Sequence, residues 1–209
     1  MDFGVATGLR RVRKRKNAQV TILQAANNGG ERRENDFYPT PVECTLALLP
    51  MLVGWPRTVW EPSCGDGGIA KMLSNVGGYK VIGTDLIDRG YGTGGIDFLK
   101  TPRRQADAIV TNPPFGSNVS AFIRHALDLD TPYIAMLVNV NLWHAASRTK
   151  LWERRLPGAV YALCWRPDFT GAGRPYFNCV WTVWGPKAAP YTRYERLAKP
   201  KQLFPWNAL

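Results

Sequence analysis

The residues best suited to chemistry are Asn112, Pro113, Pro114 and Phe115, in the run Thr111-Asn-Pro-Pro-Phe-Gly116 that follows Asp107-Ala-Ile-Val110. They offer a carboxamide oxygen, the carbonyl of Pro113 and the aromatic face of Phe115, on a backbone that two prolines make stiff. Two acceptors beside an aromatic plate suit a planar amino group. A short apolar run closed by proline reads as a buried parallel strand delivering this loop to a sheet edge, because proline cannot donate to a ladder. Ligands of open α/β sheets bind at that edge. A proline-terminated strand followed by a core Phe has the same spelling, so neighbouring elements must decide between the two.

The elements that would position this loop precede it in order. Thr58-Val-Trp-Glu61-Pro62 reads as a first central strand, Ser63-Cys64-Gly65-Asp66-Gly67-Gly68 as a tight glycine turn, and Ile69 to Val76 as the helix after it. Glycines there let the backbone approach a ligand closely. Gly65, Gly67 and Ala70 formally satisfy the dinucleotide fingerprint, so NAD enters as a candidate. Charge opposes it: Glu61 and Asp66 flank the turn where a pyrophosphate would sit, and no Gly-Lys-Ser/Thr follows to hold a triphosphate. The next strand, Lys80-Val-Ile-Gly-Thr-Asp85, ends in an acid placed to accept from ribose hydroxyls, with Leu86 beside it.

With these elements in order, most of residues 36–185 resemble the class I S-adenosylmethionine (SAM) dependent amino-methyltransferases, whose Asn/Asp-Pro-Pro-Tyr/Phe motif is matched by Asn112 to Phe115. The resemblance implies an α/β, Rossmann-like fold: a mostly parallel seven-stranded sheet with an antiparallel C-terminal hairpin and helices on both faces. It implies SAM as cofactor, held by Glu61, Pro62, Cys64, Gly65 and Gly67 of the turn, by Asp85 and Leu86, and by Asn112. It sets Tyr38, Thr40 and Pro41 against the methionine end, Asp97 on the adenine amino group and Phe98 against the adenine ring. Local sequence also explains Thr40 and Pro41, since Thr40-Pro-Val-Glu43 spells a capping box with proline at the first helical position.

Lys plus Arg number 27 against 16 Asp plus Glu, a formal net charge of +11, which points to a polyanionic partner. Residues 1–35 read as a basic arm with no compact fold of its own, and Arg11, Arg13, Lys14, Arg15 and Lys16 suit phosphate contacts that release counterions. Residues 36–185 form the expected catalytic domain and residues 186–209, with repeated prolines, an irregular tail. Ala159 to Cys164 and Asn178 to Trp184 read as an antiparallel strand pair. Their connection hangs over the substrate side, where Arg166, Phe169 and Arg174 suit phosphate contact and base stacking. After the Pro-Pro loop, Val119, Phe122, Ile123, Ala126 and Leu127 share one helical face, which leaves His125 off the stripe as a solvated or packing histidine and not a catalyst.

Four cysteines lie far apart with no Cys-x-x-Cys pair, which indicates reduced thiols and no metal site. No apolar run reaches the ~20 residues of a membrane helix, and nothing resembles a signal peptide, so the expected compartment is a bacterial or phage-infected host cytosol.

The implied activity is methylation of the exocyclic amino nitrogen of a base flipped out of DNA, N6 of adenine ahead of N4 of cytosine. Low or partner-dependent sequence specificity is expected, because a core ending near residue 185 leaves no room for a target-recognition domain. Compact phage-type DNA adenine methyltransferases carry the nearest resemblance. Enzymes acting on RNA bases or on a glutamine side chain share the motif, and a nucleic-acid-binding module that has lost its chemistry would share the fold. The sequence carries no signal for oligomeric state.

Overall fold

The computed structural model describes residues 37–116, 118–173 and 175–201. The arm residues Arg11, Arg13, Lys14, Arg15 and Lys16, and Arg174 of the hairpin connection, lie outside the described residues.

Seven strands form one sheet: β1 (Thr58–Glu61), β2 (Lys80–Gly83), β3 (Ala108–Thr111), β4 (Tyr133–Asn139), β5 (Ala159–Leu163), β6 (Cys179–Trp184) and β7 (Arg193–Leu197). Their spatial order is β2-β1-β3-β4-β6-β5-β7. β1 pairs in parallel with β2 and β3, β3 with β4, and β5 with β7, whereas β6 runs antiparallel to both β4 and β5. All strands but β6 therefore end at one edge, which receives the loops after β1, β2 and β3.

Side chains alternate between two apolar layers, as the period of a strand requires. Val59, Val110, Ala135, Leu137 and Trp181 face one layer with α1 (Val42–Leu48) and α2 (Gly68–Asn75). Trp60, Ile109, Ile134, Met136 and Val138 face the other with α3 (Asn118–Asp128), whose stripe Val119, Phe122, Ile123, Ala126 and Leu127 is buried as its spacing foretells. A short helix α4 (Thr149–Arg154) adds Leu151 to this second layer. Three fully buried tryptophans have their one donor satisfied: Trp60 Nε1 donates to Thr84 Oγ1 at 2.9 Å, Trp181 Nε1 to the Cys44 carbonyl at 2.9 Å and Trp184 Nε1 to the Arg155 carbonyl at 3.0 Å, whereas the buried Nε1 of the half-buried Trp143, Trp152 and Trp165 has no partner. The Trp181 bond ties α1 to the middle of the sheet.

His125 takes the packing role, edge-on to Phe98 with Nε2 3.1 Å from Thr101 Oγ1. All four cysteines are unpaired, and Cys164 alone is exposed. Among the described residues no helix is long and apolar enough to cross a membrane, and no group of His, Cys, Asp and Glu is placed to hold a metal ion.

Two local expectations need correction. The tail after residue 185 is not wholly irregular, since Arg193–Leu197 pairs in parallel with Ala159–Leu163 as the edge strand β7. An edge strand buries one side only, so Arg193 to Glu195 stay polar and just Leu197 is buried, a pattern that shows no apolar alternation. The capping box is also absent. Pro41 occupies the N-cap of α1 with no side-chain capping bond, and the Glu43 carboxylate pairs with Lys199 at 3.3 Å. The Thr40 hydroxyl is engaged elsewhere, at the loop after β3.

Candidate active site

At the strand-end edge, the loops after β1, β2 and β3 and the segment before α1 enclose a cavity of about 640 Å³. Of the residues singled out by sequence, Glu61, Cys64, Gly65, Asp85 and Leu86 line it from the cofactor half, and Tyr38 and Thr40 from the segment before α1. Asn112, Pro113, Pro114 and Phe115 complete the opposite wall. Two other cavities of similar size differ in kind: one is walled by Leu46, Leu49, Val53 and Trp55, and the other lies among Arg57, Arg103 and Arg104. Neither is lined by the glycine turn or the Pro-Pro loop, and the second sets its one acid, Asp107, and its one carboxamide, Gln105, among three arginines.

The glycine turn is held by the acid of the next strand. Asp85 Oδ2 accepts the Gly65 amide at 2.8 Å and Oδ1 accepts the Ile87 amide at 3.0 Å, so one carboxylate ties the turn after β1 to the turn after β2. Gly65 and Gly67 have φ of 55° and 86°, in the left-handed region that favours glycine. A Cβ at Gly65 would stand 2.4 Å from Phe37 Cε2, which shows how closely the entering segment sits on the turn. Gly67 ends the turn as N-cap of α2.

Glu61 is 2% exposed, and its Oε2 is buried without a hydrogen-bond partner. Burial drives its carboxyl well above its ordinary value, Asp85 and Asp66 push the same way, and only the Ala70 amide opposes them. The folded protein therefore keeps a proton on Glu61 after the unfolded chain has lost its own near pH 4.5. Stability falls as pH rises above that value, by at most about 1.4 kcal/mol per pH unit, until the raised folded value is passed. Glu61→Gln removes this dependence. Its Tm in the ligand-free protein is expected to exceed the wild-type Tm by a margin that widens as pH rises above about 4.5; thermal melts at several pH values check it, and a constant margin would refute the assignment.

Cys64 lies beside Glu61, its thiol donating to the Tyr91 carbonyl at 3.3 Å. Burial, reinforced by Glu61 and Asp85, pushes it up to about 12, which excludes a thiolate nucleophile.

Across the cavity Asn112 is fixed at both ends. Ser63 Oγ donates to its backbone carbonyl at 3.2 Å and lies 2.7 Å from Thr111 Oγ1, while its Nδ2 donates to Thr40 Oγ1 at 3.0 Å. Its Oδ1 is buried without a partner. Phe115 stacks on Phe177, with ring centroids 5.3 Å apart and planes 16° from parallel, and meets Phe169 edge-on at 5.2 Å and Tyr38 at 5.7 Å. The connection after β5 thus reaches over the Pro-Pro loop, as its topology requires.

The structure reassigns several sequence-expected residues. Phe169 is 6% exposed and packs on Phe115 and Phe177, so its ring is taken up in aromatic packing and is not open to a base. The Asp168 carboxylate folds the loop by accepting from the Thr170 and Gly173 amides at 3.1 and 2.6 Å. Phe98 is 2% exposed in the second layer, edge-on to Trp60, and Asp97 accepts the Leu99 amide at 3.0 Å and pairs with Lys100 at 3.2 Å. Neither lines the cavity, and nor do Pro41, Pro62 and Gly67. Arg166 is exposed, its Nε donating to Asn178 Oδ1 at 3.0 Å.

Sequence reasoning missed Phe37, Ser63, Ile87, Arg89 and Asn118, all of which line the cavity. Arg89 lies over the Phe37 ring at 4.4 Å, a cation–π contact at the mouth. Phe37 had a signal in its place beside Tyr38, whereas Ser63 and Arg89 had none.

No protein-family model matches the sequence, and no curated protein matches it. Solved structures do match in fold. The methyltransferase subunit of a type I restriction-modification system from Streptococcus thermophilus superposes with a TM-score of 0.55 at 13% identity, over 71% of this chain and 44% of that one. The M protein of the type I restriction enzyme EcoKI gives 0.54 at 16% identity, over 85% of this chain and 51% of that one. A protein from Pyrococcus horikoshii, provisionally assigned as an RNA methyltransferase, gives 0.56 at 15% identity over 81% and 96%. The chain spans about half the length of the two restriction-system subunits. The seven-stranded sheet with its one antiparallel strand is the Rossmann-like class I methyltransferase fold.

Proposed function

We propose that this chain is a SAM-dependent methyltransferase acting on the exocyclic amino nitrogen of a base in DNA, N6 of adenine ahead of N4 of cytosine. One observation carries the proposal: a single cavity joins the partnerless carboxamide oxygen of Asn112 to the acids Glu61, Asp66 and Asp85 around a glycine turn.

SAM fits this donor set. It carries a sulfonium and an ammonium group and no phosphate, which suits a wall holding Glu61, Asp66 and Asp85 and, among the described residues, one lining cation, Arg89, set over the Phe37 ring. The pyrophosphate of NAD would meet Asp66 and Asp85 as repulsion. Tyr38, Glu61, Gly65, Asp85 and Leu86 would hold SAM, while the Thr40 hydroxyl is taken by Asn112. When bound, it supplies an electrophilic methyl group: the sulfur–carbon bond breaks, a nitrogen–carbon bond forms, S-adenosylhomocysteine leaves and the amino group releases one proton to solvent.

The protein's own task is to make an amino nitrogen reactive. Its lone pair is delocalised into the base ring and must be turned outward. Asn112 Oδ1 and the Pro113 carbonyl, each taking an amino hydrogen, draw that nitrogen towards a tetrahedral shape, and their negative dipole ends stabilise the positive charge that develops. Phe115 flanks the base. No strong base is required, and the raised Cys64 thiol is no competitor.

The +11 net charge supports a polyanionic acceptor, and two structures of this fold are named as type I restriction-modification methyltransferase subunits, in keeping with DNA. Transfer of labelled methyl from SAM to matched DNA, RNA and protein acceptors, followed by nucleoside analysis, tests the proposal. N6-methyladenine in DNA is the expected product. Label only in RNA or protein would move the substrate class, and binding of DNA without binding of SAM would leave a module without chemistry.

A further inference from the structure

Thr40 and Asn112 are separated by 72 residues, yet Asn112 Nδ2 donates to Thr40 Oγ1 at 3.0 Å. The two ends of a carboxamide are nearly equal in size, and its last torsion is broad and roughly twofold, so partners decide which end faces a ligand. Here the backbone of Asn112 is anchored by Ser63, which leaves the side chain to be set by Thr40. If the amide were turned over, its oxygen would take the threonine bond and a buried NH2 would be left without an acceptor. Orphaned buried N–H groups are rarer than under-satisfied carbonyls, so the arrangement that pairs Nδ2 and leaves Oδ1 is the favoured one. It is also the only one that presents an acceptor, and not a second donor, to an incoming amino group.

Two features place Thr40 for this task. Pro39 and Pro41 flank it and restrict the backbone on either side. The segment is also seated against the start of α2, where a Cβ at Gly68 would stand 3.2 Å from the Thr40 carbonyl oxygen. The hydroxyl meanwhile makes no capping bond to α1, although the local sequence invites one.

We infer that Thr40 is a positioning residue for methyl transfer: its hydroxyl selects the carboxamide orientation in which the oxygen of Asn112 meets the acceptor's amino group. This rests on the proposed function and adds a residue to its machinery.

Three full-length variants test it: Thr40→Val, which keeps the shape and removes the hydroxyl, Thr40→Ser, which restores it, and Thr40→Val combined with Asn112→Ala. Thr40→Val is expected to lower turnover at saturating SAM and DNA by about 100-fold, the scale of a small misplacement of a reacting group. SAM affinity by calorimetry is expected to change little, Thr40→Ser to recover turnover, and the double variant to be no slower than Asn112→Ala alone. Exchange of the Asn112 side-chain NH2 protons, followed by NMR, is expected to quicken in Thr40→Val and recover in Thr40→Ser, whether or not transfer is assayed. Wild-type turnover in Thr40→Val, a loss confined to SAM affinity, multiplying losses in the double variant, or unchanged proton exchange would each overturn the inference. A wild-type protein that transfers methyl to no amino acceptor would sink the proposed function and this role together, and is told apart by the wild-type assay itself.

Discussion

Asn112→Ala is expected to lose methyl transfer by about 10²- to 10³-fold, the scale on which removal of one preorganised polar partner slows a reaction, while SAM binding is retained. The wild-type carboxamide is bonded on one side only: Nδ2 is held by Thr40, and Oδ1 is buried with nothing to accept from. Leaving a buried acceptor unpaired costs about 1–3 kcal/mol. Asn112→Ala removes that orphan, so the folded protein should be no less stable than wild type although it has lost a side-chain hydrogen bond. The expected pattern is an unchanged or raised Tm, SAM affinity near wild type and a collapse of kcat. Single-turnover transfer of labelled methyl and calorimetry with SAM measure both halves. Undiminished turnover would remove the carboxamide from the chemistry and with it the core of the proposed mechanism.

Asp85→Asn is expected to do the reverse, weakening SAM by about 30-fold while kcat at saturating SAM changes little. Both Asp85 oxygens accept backbone amides, from Gly65 and from Ile87. An asparagine can accept from one, and must aim its own NH2 at the other, so two donors face each other where a charged acceptor stood. A hydrogen bond to a charged group contributes about 1.5–3 kcal/mol, and about 2 kcal/mol corresponds to roughly 30-fold in affinity. The turn that lets the backbone approach the cofactor loosens, whereas the loop after β3 is held by Ser63 and Thr40 and stays in place. A fall in kcat with SAM affinity intact would place Asp85 in the chemical step and contradict the division of the cavity into a cofactor half and a target half.

Much of the layered sheet was legible because most of its strands are short apolar runs, and β1, β3 and β6 stop at an acid, proline or glycine; the glycine turn was legible because φ of 55° and 86° at Gly65 and Gly67 excludes most other residues. What the sequence concealed has a common physical origin: residue type does not report side-chain direction. Phe98 and Phe169 are aromatic and close to the site in sequence, and each turns into packing, one against Trp60 and the other against Phe115. Asp97 is an acid at the anticipated place whose carboxylate is taken by its own turn. Thr40 has two plausible partners, an adjacent helix and a loop far along the chain, and local pattern sees only the first. β7 escaped because an exposed edge strand next to prolines has the composition of a loop.

The distribution of the thiols has a practical consequence. Cys44, Cys64 and Cys179 are buried and Cys164 is exposed, immediately after β5, where the connection towards Phe169 and Phe177 begins. A maleimide fluorophore added to the native, unmutated protein should therefore attach at that one position, beside the strand end over which the acceptor would enter. Emission changes on titrating oligonucleotides would then follow docking directly, without waiting for product to form, and Cys164→Ser should abolish labelling and leave the fold intact.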